Sequence, residues 1–403
     1  MEKLTPVLLG GDLNAYSMAM AFADAFGVQS YVIARDKLLI SSSKYVKQRV
    51  VKGLDDVDTA VKYLKSFAKR HKGERLLLVP CADWYMEMLE YARDSLCGHF
   101  YFHVPSFECW RAVSDKASFT HLMDKYSVPH PKTHIVSVLA EDVERQCFGM
   151  KPPFVIKPAD SSLYWKTPFE NMKKVYFAYT LPEAKRICRR IFESGYSGKV
   201  LIQEFVGRSL NAGAESSVFT TYSDSTGKVV RAVLGDVLLE ERGDTSTGNY
   251  SAIVTRAPDE ICYKLIALLE SIKYTGIANF DIIRDKEKSY CLELNPRQGR
   301  SCDYLRCANL NLAQMLVGEM DGVIRDTRYV YPEGVWSAVP WKTVKAYCVN
   351  RSLYKKAEAL RRRGRFVSAY KHNSPESLKR RIYSRIHMER LAEKYKRQGA
   401  LSQ

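Results

Sequence analysis

The 403-residue chain contains no apolar run approaching the roughly 20 residues that cross a bilayer, and its opening, MEKLTPVLLGGDLNAYSMAMAF, is broken by Gly-Gly-Asp-Leu-Asn. Neither an anchor nor a signal peptide is expected there, and a soluble cytoplasmic protein follows. The ten cysteines are scattered, with no C-x-x-C and no cysteine–histidine cluster at ligand spacing. That argues against both a disulfide framework and a zinc site. The turn after the first apolar run reads GGDLNA and lacks a G-x-G-x-x-G fingerprint. A dinucleotide site is therefore not expected, although a helix N-terminus beside close glycines can still receive an anion or a carboxylate. Internal repeats and low-complexity segments are also absent, so the chain does not read as a solenoid.

Apolar residues make up 46% and charged residues 27%, an ordinary globular balance, and the length suits two or three domains. The net charge of +17 is unevenly placed. Residues 351–397 hold 16 Lys or Arg against 4 Glu, a net of +12. Such a block favours an anionic partner: a nucleotide-linked substrate, an acidic membrane face in peripheral contact, or nucleic acid. It can equally be a set of solvated helix faces. Against nucleic acid, the block lacks the interleaved aromatics of a recognisable RNA or DNA motif.

Along the chain, TPVLLGG reads as a strand ending in glycines and LNAYSMAMAFADAFG as a helix closed by Gly27. The strands SYVIA and RLLLVP flank a helical VDTAVKYLKSFAKRH. Alternating strands and helices imply a parallel, Rossmann-like sheet. VSDKASFTHLMDKYSV reads as one helix stopped by the prolines of VPHPKTHIV. Next come the strand PPFVIK carrying Lys157, a polar KPADS loop, the helix LPEAKRICRRIFESG and the strand VLIQEFVG. ESSVFTTYS and KVVRAVLGDVLLEE read as antiparallel strands, TSTGNY as a loop and ICYKLIALLESI as a helix.

The segment YCLELNPRQGRS carries the densest chemistry. A strand that buries Leu292 and Leu294 turns Glu293 and Asn295 to its other face, and Arg297 and Arg300 follow as the chain turns at Pro296 and Gly299. IANFDIIRD precedes it as the other arm of a hairpin, which places Asp281 near Glu293. Oxygen-rich side chains beside two guanidinium groups suit a metal and a phosphate, with surface ion pairing as the plainer alternative.

In order, Lys116, Lys157, the quartet Gln203, Glu204, Phe205 and Val206, then Glu215, Asp281, Glu293, Asn295 and Arg297 resemble the site series of the ATP-grasp ligases. The resemblance implies an α/β and α+β protein: a Rossmann-like N-terminal domain (1–110), a two-lobed ATP-grasp fold (111–335, lobes about 111–205 and 206–335) and a basic, helical C-terminal segment (336–403). It implies that Lys157 reaches ATP phosphates, that Lys116 and Gln203 belong to the ATP site, that the backbone of Glu204 to Val206 reads adenine and that Glu215 meets the ribose. Asp281, Glu293 and Asn295 would hold two Mg2+ ions, and Arg297 would meet the transferring phosphoryl group, with Arg300 on a carboxylate or phosphate. PVLLGGDLNAYSMAMAF, KPADS, STGNY, KYTGIANFD and LNPRQGRS together resemble the D-aspartate ligases of bacterial cell-wall assembly and their carboxylate–amine ligase relatives. That narrower likeness implies an amino-acid donor, D-aspartate, and an amine acceptor, the lysine of a UDP-linked muramyl peptide. It also implies an STGNY lid over an acyl phosphate. Residues 207–217 depart from that family's pattern, with Ser217 in place of a basic residue. The same ligase chemistry on a small metabolite stays open.

Overall fold

The computed structural model describes residues 2–37, 42–137, 149–207, 215–241, 248–285, 288–323 and 326–400. Strands β1 (Leu4–Leu9), β2 (Ser30–Ala34), β3 (Val46–Val50) and β4 (Arg75–Pro80) form a parallel sheet in the order β3-β2-β1-β4. β1 hands over to the helix Leu13–Phe26 through Gly10, at φ +137°, where a Cβ would lie 3.1 Å from that of Cys81. Glycine is therefore required for the turn to close on β4. Asp12 then caps the helix, accepting from the amides of Asn14 (3.1 Å) and Ala15 (3.4 Å). The helix Val57–Arg70 buries Ala60, Leu64, Phe67 and Ala68 against the sheet. Of the four strands in this sheet, β3 is the one unforeseen: in VKQRV a single residue, Val46, is buried, as a polar edge strand allows.

The one helix expected over residues 113–128 is two, Phe107–Ser114 and Lys116–Lys125. Asp115 makes the break by turning extended and accepting from the Ser118 amide at 2.7 Å, an N-cap that starts the second helix at Lys116. β5 (Thr133–Val136), β6 (Phe154–Pro158), β7 (Tyr176–Ala178) and β8 (Val200–Glu204) form an antiparallel sheet ordered β5-β8-β6-β7, with the helix Leu181–Glu193 on one face. The KPADS segment, expected as a loop, opens the short helix Ser161–Trp165, again capped by an aspartate, Asp160.

The largest sheet contains β9 (Glu215–Ser223), β10 (Val229–Glu240), β11 (Tyr250–Arg256), β12 (Gly276–Asp285), β13 (Lys288–Asn295), β14 (Val335–Ser337) and β15 (Phe366–Ser368). Its order is β13-β12-β9-β10-β11-β14-β15, antiparallel except for the last pair. One face packs Val218, Tyr222 and Trp336 against the helices Leu13–Phe26 and Leu312–Met320; the other packs Phe219 and Phe280 against the helix Glu260–Ser271. The basic C-terminal segment folds as the helices Trp341–Tyr347, Arg351–Arg362 and Leu378–Ala400, with β15 adding a strand to the sheet. Among the described residues no helix is long and apolar enough to cross a membrane.

Candidate active site

The hairpin β12–β13 sets Asp281 opposite Glu293. Simple alternation does not survive upstream of that pair. Ile282 pairs with Cys291 and Asp281 with Glu293, so Leu292 is the extra residue of a β-bulge and is only half-buried. Cys291 and Leu294 take the core positions, at 0% and 4% exposure. The bulge lets both pack inward while the carboxylate between them faces the opposite side, as bulges beside functional sites commonly do.

Around the pair, the Tyr250 hydroxyl donates to Asp281 Oδ1 at 2.9 Å and Asn295 Nδ2 donates to Asp281 Oδ2 at 3.3 Å. Lys116 Nζ, in the first turn of its helix, lies 3.5 Å from Glu293 Oε2 and donates to Ser161 Oγ at 3.2 Å. Lys157 is buried in β6, and Lys174 approaches from the segment before β7. Burial, followed by the charge of Glu293, raises the Asp281 carboxyl above the usual range. Burial also works against ionisation of Glu293, but Lys116, Lys174 and Lys157 outweigh it and hold that carboxyl low. Burial likewise lowers the Lys157 ammonium to about 8, opposed by Glu293 and reinforced by Lys116 and Lys174.

Among the described residues, no group of three or more His, Cys, Asp or Glu side chains converges as a ready metal cage. The oxygen set is two carboxylates and the Asn295 amide. Magnesium is commonly held this way, by one or two carboxylates with water and substrate phosphates completing its octahedron, so the residues fit that ion and would suit a protein-caged zinc poorly.

Both arginines of NPRQGR are engaged by carboxylates. Arg297 forks onto Asp83 through Nε (2.6 Å) and Nη2 (2.8 Å), and Arg300 Nη1 donates to Glu241 Oε1 at 2.6 Å. Asp83 begins the helix Asp83–Tyr91 after β4, so the first pair ties the N-terminal domain to the hairpin. The GGDLNA turn meets the same arginines: burial raises the Asp12 carboxyl, and its helix amides, Arg300 and Arg297 oppose that shift.

The quartet lies where β8 ends. Gln203 is buried and donates to Thr133 Oγ1 at 2.8 Å; Glu204 Oε1 accepts from the Lys151 amide at 2.9 Å. The Phe205 amide donates to the Pro153 carbonyl at 3.1 Å, and Val206 follows outside the strand. Glu215 does not join the site. In the β9–β12 ladder it stands opposite Arg284, 3.8 Å away, while Val218 stands opposite Asp281. An odd offset of three residues puts Glu215 on the reverse face, with Asn350 donating to it at 3.2 Å. Ser217 is on that face too, donating to Asp236 at 2.8 Å. The carboxylate on the Asp281 side is Glu240, which accepts from the Gly248 amide at 2.8 Å. The greater part of the 207–217 departure and the first residues of STGNY lie outside the described residues.

Lys174, Tyr250 and Asp83 were not anticipated. Lys174 sits in NMKKV, where nothing distinguishes it from a surface lysine. Asp83, in contrast, opens a helix directly after a parallel strand, a signal as strong as the one that drew attention to GGDLNA.

An antiparallel lobe and a larger sheet, with lysines from the first facing carboxylates of the second, are the arrangement of the ATP-grasp fold. Solved structures agree on the fold. The biotin carboxylase domain of Hydrogenobacter thermophilus 2-oxoglutarate carboxylase, solved with MgADP, matches at TM-score 0.62 and 14% identity, over 83% of this chain and 74% of that one. N5-carboxyaminoimidazole synthetase from Staphylococcus aureus, complexed with ADP, matches at 0.59 and 12% identity over 83% and 82%. L-amino acid ligase from Bacillus licheniformis matches at 0.56 and 14% over 81% and 78%. No family model matches. The D-aspartate ligase of Enterococcus faecium (strain Aus0004) is 31% identical over 395 residues, 94% of this chain and 93% of that protein. The chain belongs to the D-aspartate ligase family of ATP-dependent, carbon–nitrogen-forming ligases.

Proposed function

We propose that the protein joins the β-carboxylate of D-aspartate to the lysine ε-amine of a UDP-linked muramyl peptide, with ATP as the phosphoryl donor. The observation that carries this reading is the Asp281–Glu293 pair, which is approached by Lys116 and lies within the electrostatic reach of Lys157 and Lys174. A carboxylate is a poor electrophile, so amide formation needs it activated. The γ-phosphoryl group passes to a carboxylate oxygen and ADP leaves; the amine attacks the acyl carbon, phosphate departs and the amine loses a proton. Lys116 and Lys157 hold the phosphates, Glu204 to Val206 offer backbone groups to adenine beside Gln203, Arg297 meets the transferring phosphoryl group and Arg300 a carboxylate of the donor or a phosphate. Asp281, Glu293 and Asn295 would hold Mg2+, which supplies charge neutralisation during transfer. Most of the rate then comes from positioning and electrostatics. The functional units in this reading are 1–110, 111–335 and 336–403.

The test is ADP release from the purified protein across D- and L-amino acids, with and without a UDP-linked muramyl pentapeptide, followed by product mass. D-aspartate with the peptide should give the largest ADP yield and a product heavier by one aspartyl residue. A different preferred donor would move the substrate assignment, and no amino-acid-dependent ADP release would end the ligase reading.

A further inference from the structure

The helix Leu378–Ala400 has two unlike faces. Arg380, Ser384, Leu391, Ala392 and Tyr395 are buried on the inner one, where the Arg380 guanidinium lies 4.0 Å from the Tyr16 ring centroid and Lys394 Nζ lies 3.5 Å from Glu241. The outer face carries Leu378, Ile382 and Ile386, at 71%, 53% and 42% exposure. At about 100° per residue these i, i+4, i+8 positions form one ridge, pointing directly away from the buried stripe. Exposed basic residues line both sides of it, Arg381 and Arg385 on one and Lys379 and Arg390 on the other. Residues 378–386 include no acidic side chain. Glu389 ends the ridge one turn on, 3.3 Å from Lys342.

We propose that this ridge docks the protein on an anionic phospholipid surface. A contiguous apolar patch rimmed by charge marks an interaction site, and the rim decides the occupant. A second copy pairing ridge to ridge would bring basic rims together, like charge against like. Nucleic acid would meet the cations but leave Leu378, Ile382 and Ile386 in water. A bilayer takes both: the three apolar side chains enter the boundary of the acyl region while Lys379, Arg381, Arg385 and Arg390 meet headgroup phosphates, the arrangement of an interfacial helix. Each such cation strengthens binding roughly fivefold near an anionic surface, an effect that fades within a Debye length and with salt. The RRR run at 361–363 contributes less than its charge suggests, because Arg361 and Arg362 both pair with Glu358 at 2.9 and 2.8 Å. This docking is separate from the proposed reaction.

Co-sedimentation of the full chain with phosphatidylglycerol vesicles, against phosphatidylcholine vesicles, tests it. The protein should pellet with the first and weakly with the second, and added salt should release it. The triple variant Leu378→Ser, Ile382→Ser, Ile386→Ser should bind on the order of a hundredfold more weakly, and Arg381→Glu with Arg385→Glu should also lose binding, while both keep the melting temperature of the parent. Equal pelleting with both vesicle types, no pelleting with either, or variants that bind like the parent would overturn the proposal. So would a concentration-dependent dimer in sedimentation velocity that the triple variant abolishes, since the ridge would then belong to a second copy.

Discussion

Asp281 and Glu293 are two partly buried carboxylates facing each other across adjacent strands, and burial makes the second charge costly. Asp281→Asn should therefore split function from stability. Turnover should fall on the order of a hundredfold, ~3 kcal/mol in the barrier, through loss of an anionic magnesium ligand. The melting temperature without metal should stay level or rise, because the amide removes the like-charge repulsion, still accepts from Tyr250 and can donate to Glu293, which offsets loss of the long Asn295 bond. Near-normal turnover in the folded variant would remove Asp281 from the site. Lys157 adds a pH signature. Its ammonium titrates at about 8 in the protein, and bound phosphate would favour the charged form, so nucleotide affinity should be full below that pH and weaken as pH rises through it, by at most about tenfold per unit. Lys157→Arg keeps its charge throughout, and titrations across this range should show the decline flattened. An identical decline in the variant would assign the effect to another group.

At the scale of elements, the strands and helices with clear periodicity and punctuation, such as β1, β9 and the helix Leu181–Glu193, are legible in the sequence, and so is the hairpin that brings Asp281 to Glu293. What escaped depends on contacts that no local pattern records. The bulge at Leu292 exists because Cys291 and Leu294 both have core neighbours across the ladder, and the wrong face for Glu215 follows from pairing register rather than composition. β3 was hidden by its polar edge, and Asp115 and Asp160 start helices by capping inside segments that look continuous or loop-like. Among site residues, Lys116, Lys157 and the β13 set could be picked out because they resemble an ordered family series, whereas Lys174 converges only through tertiary structure. The C-terminal helix makes a direct comparison of its two faces. Leu391→Ala, in the buried stripe, should destabilise the protein by about 2–5 kcal/mol, while Ile382→Ala, on the outer ridge, should stay within about 0.5 kcal/mol. Denaturant titrations of the two variants check this, and equal effects would mean that the helix does not pack as described.

Across the whole molecule, the candidate site is assembled from three places: lysines from the smaller lobe, carboxylates from the large sheet, and Asp12 and Asp83 from the helix starts that follow β1 and β4 of the parallel sheet. The Arg297–Asp83 fork and the Asp12 cap bring the N-terminal sheet and its helices against the arginines that follow β13, so in the proposed reaction they would form one wall of the site. This arrangement explains why residues more than 200 positions apart must fold together before any chemistry is available. The chemistry proposed for these three parts together is activation of a donor carboxylate as an acyl phosphate. It is tested most directly by running the reaction with D-aspartate whose carboxylate oxygens carry a heavy isotope and following the label by mass. ADP should be the nucleotide product, and the released phosphate should carry one heavy oxygen. AMP carrying the label, with pyrophosphate beside it, would rule out an acyl phosphate.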